Sequence, residues 1–209
     1  MSEAGNVRAE LVEFYEEEAA SRRRGAPSGR RVEWLNEFVG AIGDARARRV
    51  IDLGAGPGTD ADAFVDAGWR YIGVDLAPAN GALARERGCD VLAGSLFELP
   101  FVNDTFDVGW SMSTLMHVPD AEMATALASI SRVLRPGSPL AVGQWGGSLG
   151  AVYSEREPPG MRRLFDLRSA ERNRDLLGSI GVVEHFDVWD TGPDDWEYHA
   201  AIVRTATDA

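Results

Sequence analysis

Val50-Ile51-Asp52-Leu53-Gly54-Ala55-Gly56-Pro57-Gly58-Thr59 sets three branched apolar residues around one acid, then alternates glycine with Ala55 and Pro57. Asp60-Ala61-Asp62-Ala63-Phe64-Val65 follows and reads as a helix start. Strand, glycine turn, helix is the layout of a nucleotide-binding unit, in which backbone approaches a ligand that faces the helix N-terminus. Asp52 is the odd member. A carboxylate inside so apolar a strand costs roughly 2–7 kcal/mol unless something pairs with it. Two readings stand: a satisfied core acid holding the turn, or a carboxylate beneath a cationic ligand.

Working outward, the period of the apolar residues changes at Arg49, and from there strands alternate with helices. Strands are predicted at 50–53, 70–75, 90–93, 106–111 and 140–145, with helices at 59–67, 78–87 and 119–134 between them. That alternation predicts an α/β fold: a doubly wound, mostly parallel sheet with helices on both faces. The tail breaks the rhythm. A helix over 169–180, with Ser169 as N-cap, precedes two strand-like runs at 182–189 and 196–204. Six residues containing Gly192 and Pro193 lie between those runs. They are too few for a crossover helix, so the two strands must pair antiparallel and bring the sheet to seven.

Before the first strand, Val7, Leu11, Phe14 and Tyr15 mark one amphipathic helix over 7–23, and Val32 to Ile42 marks a second. Between them Arg22 to Arg31 form a basic, turn-rich connector, read as a solvated charge run. The chain is thus expected to be one domain. Residues 1–45 form a helical cap, 46–145 the ligand-binding core, 146–168 a long loop inserted on the substrate side, and 169–204 the helix and terminal hairpin.

Bulk properties narrow the partners. A formal charge of −12 and a pI near 4.7 speak against wrapping a nucleic-acid backbone. With 44% hydrophobic and 26% charged residues the composition is that of a soluble globule. No apolar run approaches 18 residues and no leader is visible, so the expectation is a cytoplasmic protein without a membrane span, as monomer or homodimer. Cys89 is the one cysteine, which removes an internal disulfide and a cysteine-based zinc site, and no metal is expected.

The ordered motifs carry a resemblance. Asp52 to Thr59 resembles the first motif of class I S-adenosylmethionine-dependent methyltransferases, and Gly73-Val74-Asp75-Leu76 their acidic second-strand motif. Ala93 to Phe101 falls where the family has its adenine-side loop. Phe106-Asp107-Val108, then Leu115-Met116-His117-Val118-Pro119-Asp120, and Val133-Leu134-Arg135-Pro136-Gly137 resemble the segments around strand four and before strand five. With the terminal hairpin the resemblance covers about residues 30–204, and the domain is similar to that of the ubiquinone/menaquinone-type enzymes. It implies a Rossmann-like fold, S-adenosyl-L-methionine as cofactor, S-adenosyl-L-homocysteine as its product and a small-molecule methyl acceptor.

The resemblance also implies residue roles. Asp52 faces the cofactor's ammonium, while Gly54, Ala55, Gly56, Gly58 and Thr59 lie against its amino-acid end. Asp75 takes the ribose hydroxyls. Leu76, Ser95 and Leu96 border the adenine, with Ser95 where the family often has an Asp, so that either apolar contact with Leu76 and Leu96 holds the ring or Glu98 swings in. Ser111 lies beside the cofactor and Tyr15 closes over it. His117 is the candidate general base, needed where the acceptor is a hydroxyl. Met112, Met116, Trp145 and Tyr153 are placed on the acceptor pocket.

Two rivals stand beside this reading. A nicotinamide-dependent oxidoreductase wants glycines at positions one, three and six of the turn. Here they fall at one, three and five, and Thr59 holds the last place. The other rival is a protein that binds the cofactor without transferring methyl groups and acts as a regulator or scaffold.

Overall fold

The computed structural model describes residues 3–21, 25, 27–43, 48–154, 160–191 and 196–207. Two helices, α1 (Glu3–Ala20) and α2 (Gly29–Ile42), precede β1 (Arg49–Leu53). Then come α3 (Ala61–Asp66), β2 (Arg70–Asp75), α4 (Pro78–Glu86), β3 (Val91–Ala93) and β4 (Val108–Met112). A 3-10 turn at Leu115–His117 leads into α5 (Asp120–Val133) and β5 (Pro139–Gly146). The tail holds β6 (Gly150–Tyr153), β7 (Leu164–Leu167), α6 (Ala170–Gly178), β8 (Gly181–Thr191) and β9 (Glu197–Thr205).

Seven strands form one sheet in the order β3-β2-β1-β4-β5-β9-β8. The first five are parallel, with Ile51 opposite Ile72 on one side and Gly109 on the other. β9 runs antiparallel to both β5 and β8, as the short connection requires. Strand order reverses between β1 and β4, and a crevice at the carboxyl ends of such strands is where open α/β sheets bind ligands.

The alternating faces of β1 show how the sheet is buried. Ile51 and Leu53 pack with Met123, Leu127 and Ile130 of α5 and Leu177 of α6. Val50 points the other way, to Trp34, Leu35 and Phe38 of α2, Phe64 of α3 and Ala84 of α4. Helices therefore cover both faces. Among the described residues no helix is long and apolar enough to cross a membrane.

Three expectations need correction. The helix expected from residue 59 begins only at Ala61, because Gly54, Gly56 and Gly58 all have positive φ and hold the chain in a turn through Asp60. Residues 146–168 are not simply a loop: Gly150 to Tyr153 pair antiparallel with Leu164 to Leu167 as a separate two-stranded sheet. The basic connector is not wholly solvated either. Its end is already α2, capped by Ser28, whose hydroxyl accepts from the Arg31 amide, and Arg31 is ion-paired to buried Asp60. Arg22 to Arg24 lie outside the described residues.

Candidate functional site

Gly54 leaves β1 with φ +76, and a side chain there would collide with Thr114 in the segment after β4. Only glycine fits between two strand ends brought this close. Gly56 follows at φ +56 and donates its amide to Asp75 at 2.7 Å. Asp75, the last residue of β2, also accepts from the Ala77 amide at 2.9 Å and the Asn80 side chain at 3.0 Å. An ionised carboxylate offers about four acceptor sites. Three are used to tie glycine turn, β2 and α4 into one rigid corner, and the corner faces a cleft.

That cleft is lined by Gly54, Asp75, Leu76, Ser95, Leu96, Ser113, Thr114 and His117, with Val7, Leu11 and Tyr15 of α1 as its roof. It has a volume of about 90 Å³. The Ser95 hydroxyl accepts from the Phe97 amide and so shapes the loop. Glu98 is exposed and does not border the cleft. α1 is fastened over the opening by polar bonds: Arg8 pairs with Glu122 at 2.6 Å, and Glu16 accepts from the Ala79 amide at 2.8 Å.

Tyr15 supplies another tie. Its hydroxyl meets His117 Nε2 at 2.8 Å, and His117 Nδ1 meets the Leu164 carbonyl at 2.6 Å. A carbonyl only accepts, so Nδ1 carries the hydrogen. In the neutral ring Nε2 is then the acceptor, and Tyr15 donates to it.

A second cavity, of about 680 Å³, opens on the other side of Ser113. Thr59, Arg30, Arg31, Trp145, Asp187, Trp189 and Tyr198 are among its lining residues. Ser113 borders both spaces and has φ +56, a strained conformation for a residue with a side chain. Its amide donates to Gly143 at 2.6 Å, and its hydroxyl bonds to that of Tyr198 at 3.2 Å.

Beneath the glycine turn lies a buried polar group that faces neither space. Asp52 accepts from the Tyr71 hydroxyl at 2.7 Å. Nearby Asp60 accepts from Arg31 at 2.6 Å and from the Trp110 indole at 2.8 Å. Burial, then the neighbouring Asp60 charge, push the Asp52 carboxyl up to about 7, against the opposing Tyr71 bond and Arg31 charge. Burial and Asp52 likewise hold the Tyr71 phenol well above its usual range.

The expected site residues separate into those that meet and those that do not. Tyr15, Gly54, Asp75, Leu76, Ser95, Leu96 and His117 share the first cleft, while Thr59 and Trp145 line the second cavity. Asp52, Ala55, Gly56 and Gly58 form the floor and border neither space. Ser111 is buried, with its hydroxyl on the Leu53 carbonyl at 3.1 Å. Met112 is buried too, and its sulfur accepts from the Tyr198 hydroxyl at 3.9 Å. Met116 packs with Phe165, Leu167 and Trp145. Tyr153 packs on Leu164, Val7 and Leu11, beneath the Arg162 guanidinium.

Residues given no site role by the sequence reading matter as much. Arg31, read there as a solvated charge, shapes the second cavity with Ser113 and Tyr198, and Arg168 anchors the segment carrying His117. Arg168 is buried at the end of β7 and bonds to Asp120 at 3.0 Å, to Asp166 at 3.4 Å and to the Leu115 and Val118 carbonyls. Its one visible signal is an arginine directly after the apolar run Leu164-Phe165-Asp166-Leu167. Asn173 donates to His199 at 2.8 Å, so that buried histidine is tied to α6.

Comparison with known proteins agrees with this geometry. Residues 50–137 match a family model described as a methyltransferase domain. A demethylmenaquinone methyltransferase of Renibacterium salmoninarum is 30% identical over 133 residues, 61% of this chain and 55% of its own length. The chain spans about half the length of the curated relatives it matches. Among solved structures, the 1,6-didemethyltoxoflavin-N1-methyltransferase of Burkholderia thailandensis superposes with a TM-score of 0.68 at 23% identity, covering 100% of this chain and 92% of that one. The [4+2]-cyclase SpnF superposes with a TM-score of 0.69 at 20% identity, covering 96% and 94%. The glycine turn, the acidic end of β2 and the sheet order fit this likeness, and residues 50–137 are similar to a methyltransferase domain.

Proposed function

We propose that the protein transfers a methyl group from S-adenosylmethionine to a small-molecule acceptor. The observation that carries this is the Asp75 corner, a preformed carboxylate at the rim of a glycine turn, one acceptor site still available and pointed at a cleft with apolar walls. A carboxylate acceptor at the edge of a cleft with apolar walls suits a nucleoside.

Asp75 accepts from a ribose hydroxyl on its remaining site, and Leu76 and Leu96 sandwich the adenine, with Ser95 in place of a charged partner. Gly54 and Gly56 let the rest of the cofactor lie against backbone. Arg31, at the Thr59 end of the turn, suits its carboxylate. Asp52 favours its ammonium through the field across the floor of the turn rather than by contact. When bound, the cofactor supplies a sulfonium methyl for in-line displacement and leaves as neutral S-adenosylhomocysteine. The protein's part is then to hold the acceptor about 3–3.5 Å from that methyl. For a hydroxyl acceptor, proton uptake by His117 runs through the Tyr15 hydroxyl that already occupies Nε2.

Calorimetric titration with S-adenosylhomocysteine tests the reading. The protein is expected to bind it and to ignore NADH, and Asp75→Ala is expected to weaken binding by about 1–3 kcal/mol. Binding of NADH in place of S-adenosylhomocysteine overturns the proposal, and unchanged affinity in the variant overturns the ribose role. Transfer itself is read by supplying methyl-labelled cofactor to an extract of the native organism and identifying the labelled product by mass.

A further inference from the structure

We infer that the second cavity is the acceptor chamber and that it takes a flat aromatic molecule. This deepens the methyl-transfer reading and rests on it. The chamber's volume of about 680 Å³ leaves room for the amino-acid end of the cofactor beside Thr59 and for a ring system of two or three fused rings beyond it.

Its far side is aromatic and comes from three strands. Trp145 ends β5, Trp189 lies on β8 and Tyr198 on β9. Trp189 and Tyr198 are stacked, with centroids 5.3 Å apart and planes 21° from parallel. Trp145 stands edge-on to Tyr198 at 5.2 Å and 89°. A ring laid against this wall meets the edges of the stacked pair and Trp145 set perpendicular to Tyr198, and edge-to-face contact is an arrangement that aromatic rings prefer. Arg30 covers Trp189, its guanidinium 5.0 Å over the ring, and brings a cation to the wall. Arg31 adds a second cation, and Asp187 is the acid among the lining residues, its carboxylate accepting from the Val188 amide at 2.9 Å.

Ser113 gives the chamber its connection to the chemistry. It is the residue common to both spaces, and its strained φ of +56 is held by the Gly143 carbonyl and the Tyr198 hydroxyl. Strain of this kind persists where the surroundings over-determine it, and it concentrates at working sites. Tyr198 thus stacks on Trp189 with its ring and fixes the inter-cavity wall with its hydroxyl. An aromatic acceptor packed on that side brings its edge to Ser113, the border with the cofactor cleft.

The test compares 2-naphthoate with decahydro-2-naphthoate, which have the same skeleton and charge and differ in aromaticity. Each is titrated calorimetrically into the full chain with S-adenosylhomocysteine present. The aromatic acid is expected to bind about tenfold tighter or more. Trp189→Leu and, from a different strand, Trp145→Leu are each expected to remove most of that preference, with thermal melting showing that the variants fold. Equal affinity for the two acids, or a preference that survives in folded variants, overturns the aromatic chamber and leaves the methyl-transfer reading standing. A preference for 2-naphthoate in a protein that ignores S-adenosylhomocysteine overturns the methyl-transfer reading, and the acceptor assignment with it.

Discussion

Arg168→Ala is expected to cost about 3–5 kcal/mol of folding stability, read from urea unfolding. The Arg168 side chain is 2% exposed and lies where three segments meet. Through Asp120 it reaches the start of α5, through Asp166 it closes on its own strand, and through the Leu115 and Val118 carbonyls it holds the 3-10 turn. Truncation leaves Asp166 and those carbonyls buried without their cation, and orphaned buried groups carry most of such a penalty. Arg168→Met separates packing from charge, since it keeps the stem and drops the guanidinium. It is expected to lose nearly as much as the alanine variant. A loss below about 1 kcal/mol in both would show that water replaces the guanidinium without cost. Because the same residue fixes the His117 segment, a variant that still folds should also bind S-adenosylhomocysteine less well.

Asp52→Asn is expected to act in the opposite direction on stability, raising it by about 2–4 kcal/mol at pH 8 with little change near pH 4. The sign follows from a folded-state value of about 7 against an ordinary 3.8. Between those values the folded protein holds a proton that the unfolded chain has released. Stability from this group therefore falls as pH rises through that window, and the cost of ionising a buried acid is fully present above about pH 7. Asparagine keeps an acceptor for the Tyr71 hydroxyl and has no charge to bury. Thermal melts of both proteins from pH 4 to 8 provide the measurement, and parallel curves would refute the ionised buried acid. The gain should come with weaker S-adenosylhomocysteine binding at pH 8. Stability bought at a ligand site by removing its charge commonly has that cost.

How far the sequence revealed the site depends on the distance over which a residue acts. The glycine turn, Asp75 and the antiparallel tail are local statements. Positive φ at Gly54 and Gly56, an acid at a strand end and a six-residue connection each have one structural meaning. Leu76, Ser95 and Leu96 were expected near the adenine from the family resemblance alone, and they line the first cleft because β2 and β3 both end beside it. Arg31 was read as a solvated charge because nothing near it shows that Asp60, 29 positions on, lies buried against it. Ser113 and Tyr198 are 85 positions apart and meet only because β9 inserts beside β5. Asp52 sits between these cases. Its burial was legible, but its partner Tyr71 needed the β1–β2 register, in which the tyrosine lies two places before the residue opposite Asp52.

The helix laid over the first cleft sets a timing. With α1 seated, about 90 Å³ remains beneath it, well short of the roughly 300–1,000 Å³ of small-ligand sites. A nucleoside-sized molecule is therefore expected to need the Tyr15–His117, Arg8–Glu122 and Glu16–Ala79 ties to part. Exchange of the proposed cofactor and its product is then expected to follow the opening of a helix, a microsecond-to-second event.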